Sequence, residues 1–107
     1  MFTMNLTANV QDLAINTDIQ IVSGSVGIYT CHFTFSDEWE GFTKKAVFRQ
    51  NRKEVEEELL DDGSCEIPAE VIDTPGTLEI GVYGVLDTKI MPTKWARIKV
   101  IEEGAYL

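Results

Sequence analysis

The stretch IYTCHFTFS, residues 28–36, has the clearest structural pattern in the chain. Its apolar side chains occupy every second position, at Tyr29, Cys31, Phe33 and Phe35, and polar residues fill most of the positions between them. Successive side chains of a β-strand point to opposite faces, so this alternation predicts a strand with one buried face. Aromatic and β-branched residues also fit a pleated, half-buried surface.

The same alternation recurs on both sides of this stretch. We predict further strands over residues 2–8, 18–22, 44–50, 53–60, 64–67, 77–86, 89–91 and 95–101. About seven or eight short strands separated by turn residues are typical of an antiparallel β-sandwich, immunoglobulin-like or jelly-roll-like. We therefore predict an all-β protein with one domain over residues 1–107.

Residues 53–60 carry conflicting signals. Their Glu and Leu content favours a helix by propensity, but apolar and charged residues alternate, and Asp61-Asp62-Gly63 follows as a hairpin turn would. We predict a strand whose glutamates face Lys45, Arg49 and Lys53 across the sheet, where opposite charges stabilise the pairing.

The composition excludes several classes of function. Apolar residues make up 44% of the chain, which argues against disorder. The net charge is −9 and no basic run exceeds two residues. Proteins that bind nucleic acids or anionic membranes do so through basic groups, so we expect neither as a partner. A basic protein would be a suitable partner for a chain with this negative charge. The start, MFTMNLTANV, lacks the basic and apolar regions of a signal peptide, and no apolar run is long enough to span a bilayer.

Two cysteines, Cys31 and Cys65, lie in predicted strands. Cysteine often behaves as a small buried hydrophobe, and a disulfide framework usually needs more cysteines. We expect two buried free thiols, with a bridge as the alternative if their strands are neighbours.

No constellation for catalysis or cofactor binding is apparent. His32 is the single histidine and we interpret it as a surface residue; its neighbour Cys31 would point to the opposite face. The residues supply no zinc set, and Asp61-Asp62-Gly63-Ser64 has only part of a calcium loop. Gly81 and Gly84 lie within a strand, where glycine marks a bulge or a close backbone approach. We expect no enzyme, no cofactor and no metal.

A sugar-stacking platform is the main alternative to a purely structural role. Aromatic rings can stack on sugars, and the candidates are Tyr29, Trp39, Tyr83 and Trp95. The same rings are equally natural as core or edge residues.

The segments FSDEWEGFTKKAVF, LLDDGSCEIPAEVIDTPGTLEIGVYG and WARIKVIE carry a family resemblance over residues 35–101. Their order resembles small structural proteins and domains of phages and prophages of Gram-positive bacteria, among tail, baseplate and head-fibre components. The resemblance implies a β-sandwich with a non-enzymatic assembly role in the virion, formed in the host cytoplasm. It implies other virion proteins as partners and a homo-oligomer, and it carries no catalytic residues.

The two alternatives to this function are a carbohydrate-binding module for host glycans and a small prophage-encoded regulator. For an assembly role, Trp39 is the candidate protein-interaction residue, because it lies in a polar connection between Glu38 and Glu40 and binding hot spots favour tryptophan. The competing interpretation is that Trp39 folds back as a lid on the end of the sandwich.

Overall fold

The computed structural model describes residues 1–105 and contains ten β-strands and two short 3-10 turns. The strands are β1 (Phe2–Asn9), β2 (Asp12–Asn16), β3 (Ile21–Val22), β4 (Tyr29–Phe35), β5 (Thr43–Gln50), β6 (Lys53–Glu58), β7 (Ser64–Glu66), β8 (Gly76–Leu86), β9 (Lys89–Pro92) and β10 (Ala96–Ile101). The 3-10 turns are Asp37–Trp39 and Ala69–Val71.

The strands form two sheets that pack face to face. The four-stranded sheet has the order β2-β1-β4-β7, and the six-stranded sheet follows the path β3-β10-β8-β5-β6, with β9 paired to β8. Their inner faces bury a shared core that includes Leu6, Phe33, Phe48 and Ile80. The predicted all-β sandwich is confirmed. No helix within residues 1–105 is long and apolar enough to cross a membrane.

The sandwich has ten strands where seven or eight were predicted, and two of its strand pairs are not antiparallel. Strand β1 pairs with β4 in parallel, and β3 pairs with β10 in parallel. Alternation within a strand reports its buried face and says nothing about the direction of its neighbour. The chain between β1 and β4 is long enough for the crossover that a parallel pair needs.

Strand β2 was also absent from the prediction. Its apolar side chains, Leu13 and Ile15, are only half-buried, so the pattern is weak. The turn before it contains Val10 at φ 53°, a conformation that β-branched residues rarely adopt. The sequence therefore gave no ordinary turn signal there.

The ambiguous segment is a strand, as predicted. Strand β6 pairs antiparallel with β5, and both turn residues, Asn51 and Arg52, have positive φ values of 57° and 67°. Positive φ at both central positions is the signature of the two-residue turn that matches strand twist. Alternation outweighed helix propensity in this segment. The predicted hairpin at Asp61-Asp62-Gly63 is wrong, because this turn joins β6 to β7, which lies in the other sheet.

Candidate functional site

The outer face of the six-stranded sheet carries a groove of about 310 Å³. Strand β6 forms one wall, and the β9 strand with the segment that follows it forms the other. We call it the Trp95 groove; the side chains that give it its character are Val47, Glu54, Glu56, Tyr83, Ile90 and Trp95. One wall is apolar and the other is acidic.

Gly81 shapes the floor of the groove. A Cβ atom at this position would lie 3.3 Å from Cε3 and Cζ3 of Trp95, closer than carbon atoms normally approach. The absence of a side chain therefore lets the indole lie against strand β8. The prediction that glycine marks a close approach in this strand is confirmed here and at Gly84, where a Cβ would lie 3.1 Å from Cζ3 of Trp39.

Arg49 holds the indole from a second side. Its guanidinium carbon lies 3.8 Å from the centre of the Trp95 ring, a cation–π contact. Its Nε donates to Oε1 of Glu79 at 2.8 Å, and Nη2 of Arg97 lies 2.9 Å from Oε2 of the same carboxylate. Hydrogen bonding to Arg49 is the main reason that the pKa of Glu79 is lowered. Glu79 thus serves as counter-ion to both arginines beside the groove.

The glutamates of the acidic wall have no arginine or lysine counter-ion within residues 1–105. The register places Lys45 opposite Glu58 and Arg49 opposite Glu54, as predicted, but Lys53 lies on β6 itself and faces Gln50. Within residues 1–105, however, the ion pairs go elsewhere: Arg49 pairs with Glu79, and Lys53 with Asp73. No β6 glutamate in that part of the chain joins an ion pair.

Tyr83 lies beside this acidic wall. A hydrogen bond to the Glu56 carboxylate and partial desolvation raise the pKa of the Tyr83 hydroxyl, and the charge of Glu56 acts in the same direction. Tyr83 and Glu56 therefore lie next to each other in the lining of the groove. Tyr83 and Trp95 were both predicted as aromatic candidates, but nothing in the sequence indicates that they lie in one groove.

Trp39, the residue proposed as a protein-interaction anchor, lies in the core. Its side chain is 0% exposed. The indole Nε1 donates to the carbonyl oxygen of Val10 at 2.7 Å, and the ring packs against Phe35 with centroids 5.2 Å apart. The interpretation as a lid is therefore correct, and the anchor hypothesis is wrong.

The local backbone explains this burial. Trp39 closes the 3-10 turn Asp37–Trp39, and its neighbours Glu38 and Glu40 are exposed. One tight turn can direct a single side chain inward while its neighbours remain in solvent. A polar stretch in the sequence therefore does not imply that the tryptophan within it is exposed.

The four-ring sugar platform does not form. Trp39 and Tyr29 are both buried, and the Tyr29 hydroxyl lies 3.0 Å from the amide nitrogen of Val22, which donates to it. Only Tyr83 and Trp95 line the groove. The Trp95 ring is further covered by Gly81 and Arg49, which leaves little open surface for a stacked sugar.

His32 and the cysteines are arranged as their strand positions predict. His32 is half-buried on the outer face of β4, whereas Cys31 is buried on the inner face. Cys65 lies directly opposite Cys31 on β7, and both thiols are free. Burial raises the pKa of Cys31 well above its ordinary value, with a further contribution from Cys65, and burial raises the pKa of Cys65 to about 12. Neither thiol has the character of an activated nucleophile.

The acidic turn after β6 has a structural explanation. Oδ1 of Asp62 accepts hydrogen bonds from the amide nitrogen and the hydroxyl of Ser64, at 3.0 and 2.6 Å. These bonds fix the turn. Within the described residues, no cluster of three or more histidine, cysteine or acidic side chains could hold a metal ion.

A second depression, of about 380 Å³, lies beside this turn and is lined in part by Phe35, Lys44 and Leu60. Nζ of Lys44 lies 5.2 Å from the centre of the Phe35 ring and donates to the carbonyl oxygen of Phe42. The Lys44 ammonium group therefore already has a ring and a carbonyl oxygen as partners within the chain. The Trp95 groove is the better candidate, because contacts with Gly81 and Arg49 fix a large aromatic side chain within it.

The candidate site is therefore a surface groove with an apolar wall, an acidic wall and a tryptophan clamped by glycine and arginine.

Comparison of the chain with protein-family models, with curated proteins and with solved structures finds no match.

Proposed function

We propose that this chain is a non-enzymatic structural protein of a bacteriophage particle, in the tail, baseplate or head fibre, which binds other virion proteins through the Trp95 groove. The observation that carries the binding role is the exposed apolar wall of the groove. Ile90 is 70% exposed there, next to Trp95 and Tyr83. Apolar surface rimmed by polar groups marks interaction sites. The phage context rests on the family resemblance over residues 35–101.

The sandwich suits such a role because it offers a rigid sheet face on which side chains are held in fixed register. A partner that covers the groove would remove Ile90 and the edge of Trp95 from water. Tryptophan and arginine are both frequent at the energetic centres of interfaces. The proposal includes association of copies of this chain, since oligomers with closed symmetry are common in assemblies.

The experiment is detection of the protein in purified phage particles made by a host that carries its coding sequence. We expect gold-labelled antibody to mark one fixed position on each particle in electron micrographs. Particles of normal shape that lack the protein would contradict the virion role. Light scattering of the purified protein over a range of concentrations tests self-association.

Two matched variants connect particle incorporation to the groove. Ile90→Asp places a charge on the apolar wall, and Val26→Asp makes the same change at a position of almost equal exposure, 72%, outside the groove. Both side chains are exposed, so folding should tolerate both changes. We expect Ile90→Asp to be depleted from particles and Val26→Asp to be retained. Equal retention of both variants would remove the groove from the assembly role.

A further inference from the structure

Strand β6 ends the six-stranded sheet, and its outer edge is open within the described part of the chain. The Asn51–Arg52 hairpin places Gln50 opposite Lys53 at the turn. In an antiparallel pair, residues exchange hydrogen bonds at alternate positions. Lys53, Val55 and Glu57 therefore bond to β5, and the backbone groups of Glu54, Glu56 and Glu58 point away from the sheet. No backbone hydrogen bond reaches these three from another strand in residues 1–105.

The same three residues carry the exposed acidic side chains of the strand. Charged residues on an edge strand are a common protection against pairing with identical edges. Two β6 edges placed together would oppose glutamate with glutamate, which is destabilising. The edge is thus closed to a second copy of this chain and open to a strand of opposite charge.

Glu54 and Glu56 belong both to this edge and to the wall of the Trp95 groove. A segment that pairs with β6 would run along the acidic wall, with β6 between the segment and the apolar side chains of the groove, of which Val47 on β5 is the nearest. Its basic side chains would meet the two carboxylates, and a long side chain that crosses β6 would extend toward Val47 and the Trp95 ring, which lies against Arg49 of β5. Strand addition of this kind obtains affinity from main-chain hydrogen bonds and specificity from side-chain pockets.

We propose that the β6 edge and the Trp95 groove form one docking site for an extended, lysine- or arginine-rich segment of a partner protein. The proposal rests on the binding role given above and adds the chemistry and conformation of the partner. Charge complementarity selects this occupant: the chain carries −9 overall, and both arginines beside the groove are already held by Glu79. A neutral sugar makes less use of the site, because the Trp95 ring is covered by Arg49.

The test titrates the protein with a short amidated peptide in which lysine alternates with valine. Indole N–H signals in a proton–nitrogen NMR spectrum provide the readout. The protein has two tryptophans, and Trp39 is buried with its N–H bonded to Val10, so it serves as an internal control. We expect the Trp95 signal to shift and the Trp39 signal to stay, with a Trp95→Phe variant assigning the peaks.

Charge variants separate the site from general attraction between a basic peptide and an acidic protein. Glu54→Lys with Glu56→Lys reverses the acidic wall. Glu40→Lys with Glu66→Lys changes the net charge equally at exposed positions outside the groove. We expect the wall variant to weaken peptide binding at least about tenfold, since like charges in contact oppose association strongly. We expect the control to change it less than about threefold at moderate salt.

Several outcomes would overturn the proposal. These are equal weakening by the two double variants, absence of any Trp95 shift, or equal binding of a peptide in which glutamate replaces lysine. A Trp95 shift that follows protein concentration without peptide would identify a second copy as the occupant. A shift with a neutral oligosaccharide and none with the peptide would identify a glycan site. Absence of the protein from phage particles would contradict the virion role alone and leave these binding results standing.

Discussion

At the scale of single residues, Trp39 is the side chain on which the end of the sandwich most depends. It fills the space against Phe35 and Gly84 and satisfies the carbonyl of Val10. Trp39→Ala should lower the free energy of unfolding by about 3–5 kcal/mol, the usual cost of removing a large buried aromatic side chain. Urea unfolding followed by circular dichroism measures the change.

Glu40→Ala is the matched control for this prediction, because Glu40 adjoins Trp39 in the chain and is exposed. It should change the free energy of unfolding by no more than about 0.5 kcal/mol. A loss of less than about 1 kcal/mol in Trp39→Ala would contradict the role of Trp39 as a lid.

Cys65 gives a prediction about stability at high pH. Burial raises the pKa of its thiol to about 12 in the folded protein, whereas the pKa of a cysteine thiol in an unfolded chain is about 8.5. Between these two pH values the unfolded state loses the proton first, so the free energy of unfolding falls as pH rises. Below about pH 8.5 this thiol adds no pH dependence.

The contribution of Cys65 should have a slope of at most about 1.4 kcal/mol per pH unit. Tyrosines and lysines titrate in the same range, so the measurement is the difference between the native chain and Cys65→Ala in urea unfolding at several pH values. The variant should lose stability less steeply with pH. Identical slopes would show that the thiol is not shielded from ionisation.

At the scale of elements, the β5–β6 hairpin contains a residue with a strained backbone conformation, and a substitution there should relieve the strain. Arg52 has φ 67°, in the left-handed region that costs a residue with a side chain about 1–2 kcal/mol. Arg52→Gly should raise the free energy of unfolding by about 0.5–1 kcal/mol. Glycine adopts this conformation without strain, and its greater loss of backbone freedom on folding offsets only part of that gain. Thermal or urea unfolding measures the gain.

Asn51 provides the comparison within the same turn. It also has a positive φ, but asparagine tolerates that conformation, and its Nδ2 donates to Oγ1 of Thr74 at 2.7 Å. Asn51→Gly should therefore give no gain. A gain in Asn51→Gly as large as that in Arg52→Gly would mean that backbone strain at position 52 is not the cause.

At the scale of the whole molecule, excess negative charge opposes folding. The chain has 18 acidic and 9 basic residues, and repulsion among like charges destabilises a compact state. Added salt shortens the range of this repulsion from about 30 Å at 0.01 M to about 8 Å at 0.15 M. The urea midpoint should therefore rise over that range of sodium chloride concentration.

The double variant Glu40→Lys with Glu66→Lys, which is less negatively charged, should show a smaller rise in the urea midpoint. A midpoint that falls with salt in the native chain would mean that the ion pairs of Glu79 and Asp73 outweigh the net repulsion.

Local sequence pattern predicts the buried face of the strand at residues 28–36. The side chains at Tyr29, Cys31 and Phe33 are buried as their alternation predicts, and the strand at residues 53–58 follows from the alternation of apolar and charged residues there. These features are local, because the period of a strand and the φ values of a turn depend on neighbours in the chain.

Which strands are neighbours, and which charged groups pair with one another, depends on contacts between distant parts of the chain. The parallel pairing of β1 with β4, the burial of Trp39, and the clamp of Trp95 between Gly81 and Arg49 join residues distant in sequence. Arg49 had Glu54 opposite it in register but pairs with Glu79, which leaves the groove acidic. Periodicity carries no information on such choices, because they depend on the competition among all groups that the closed sandwich brings within reach.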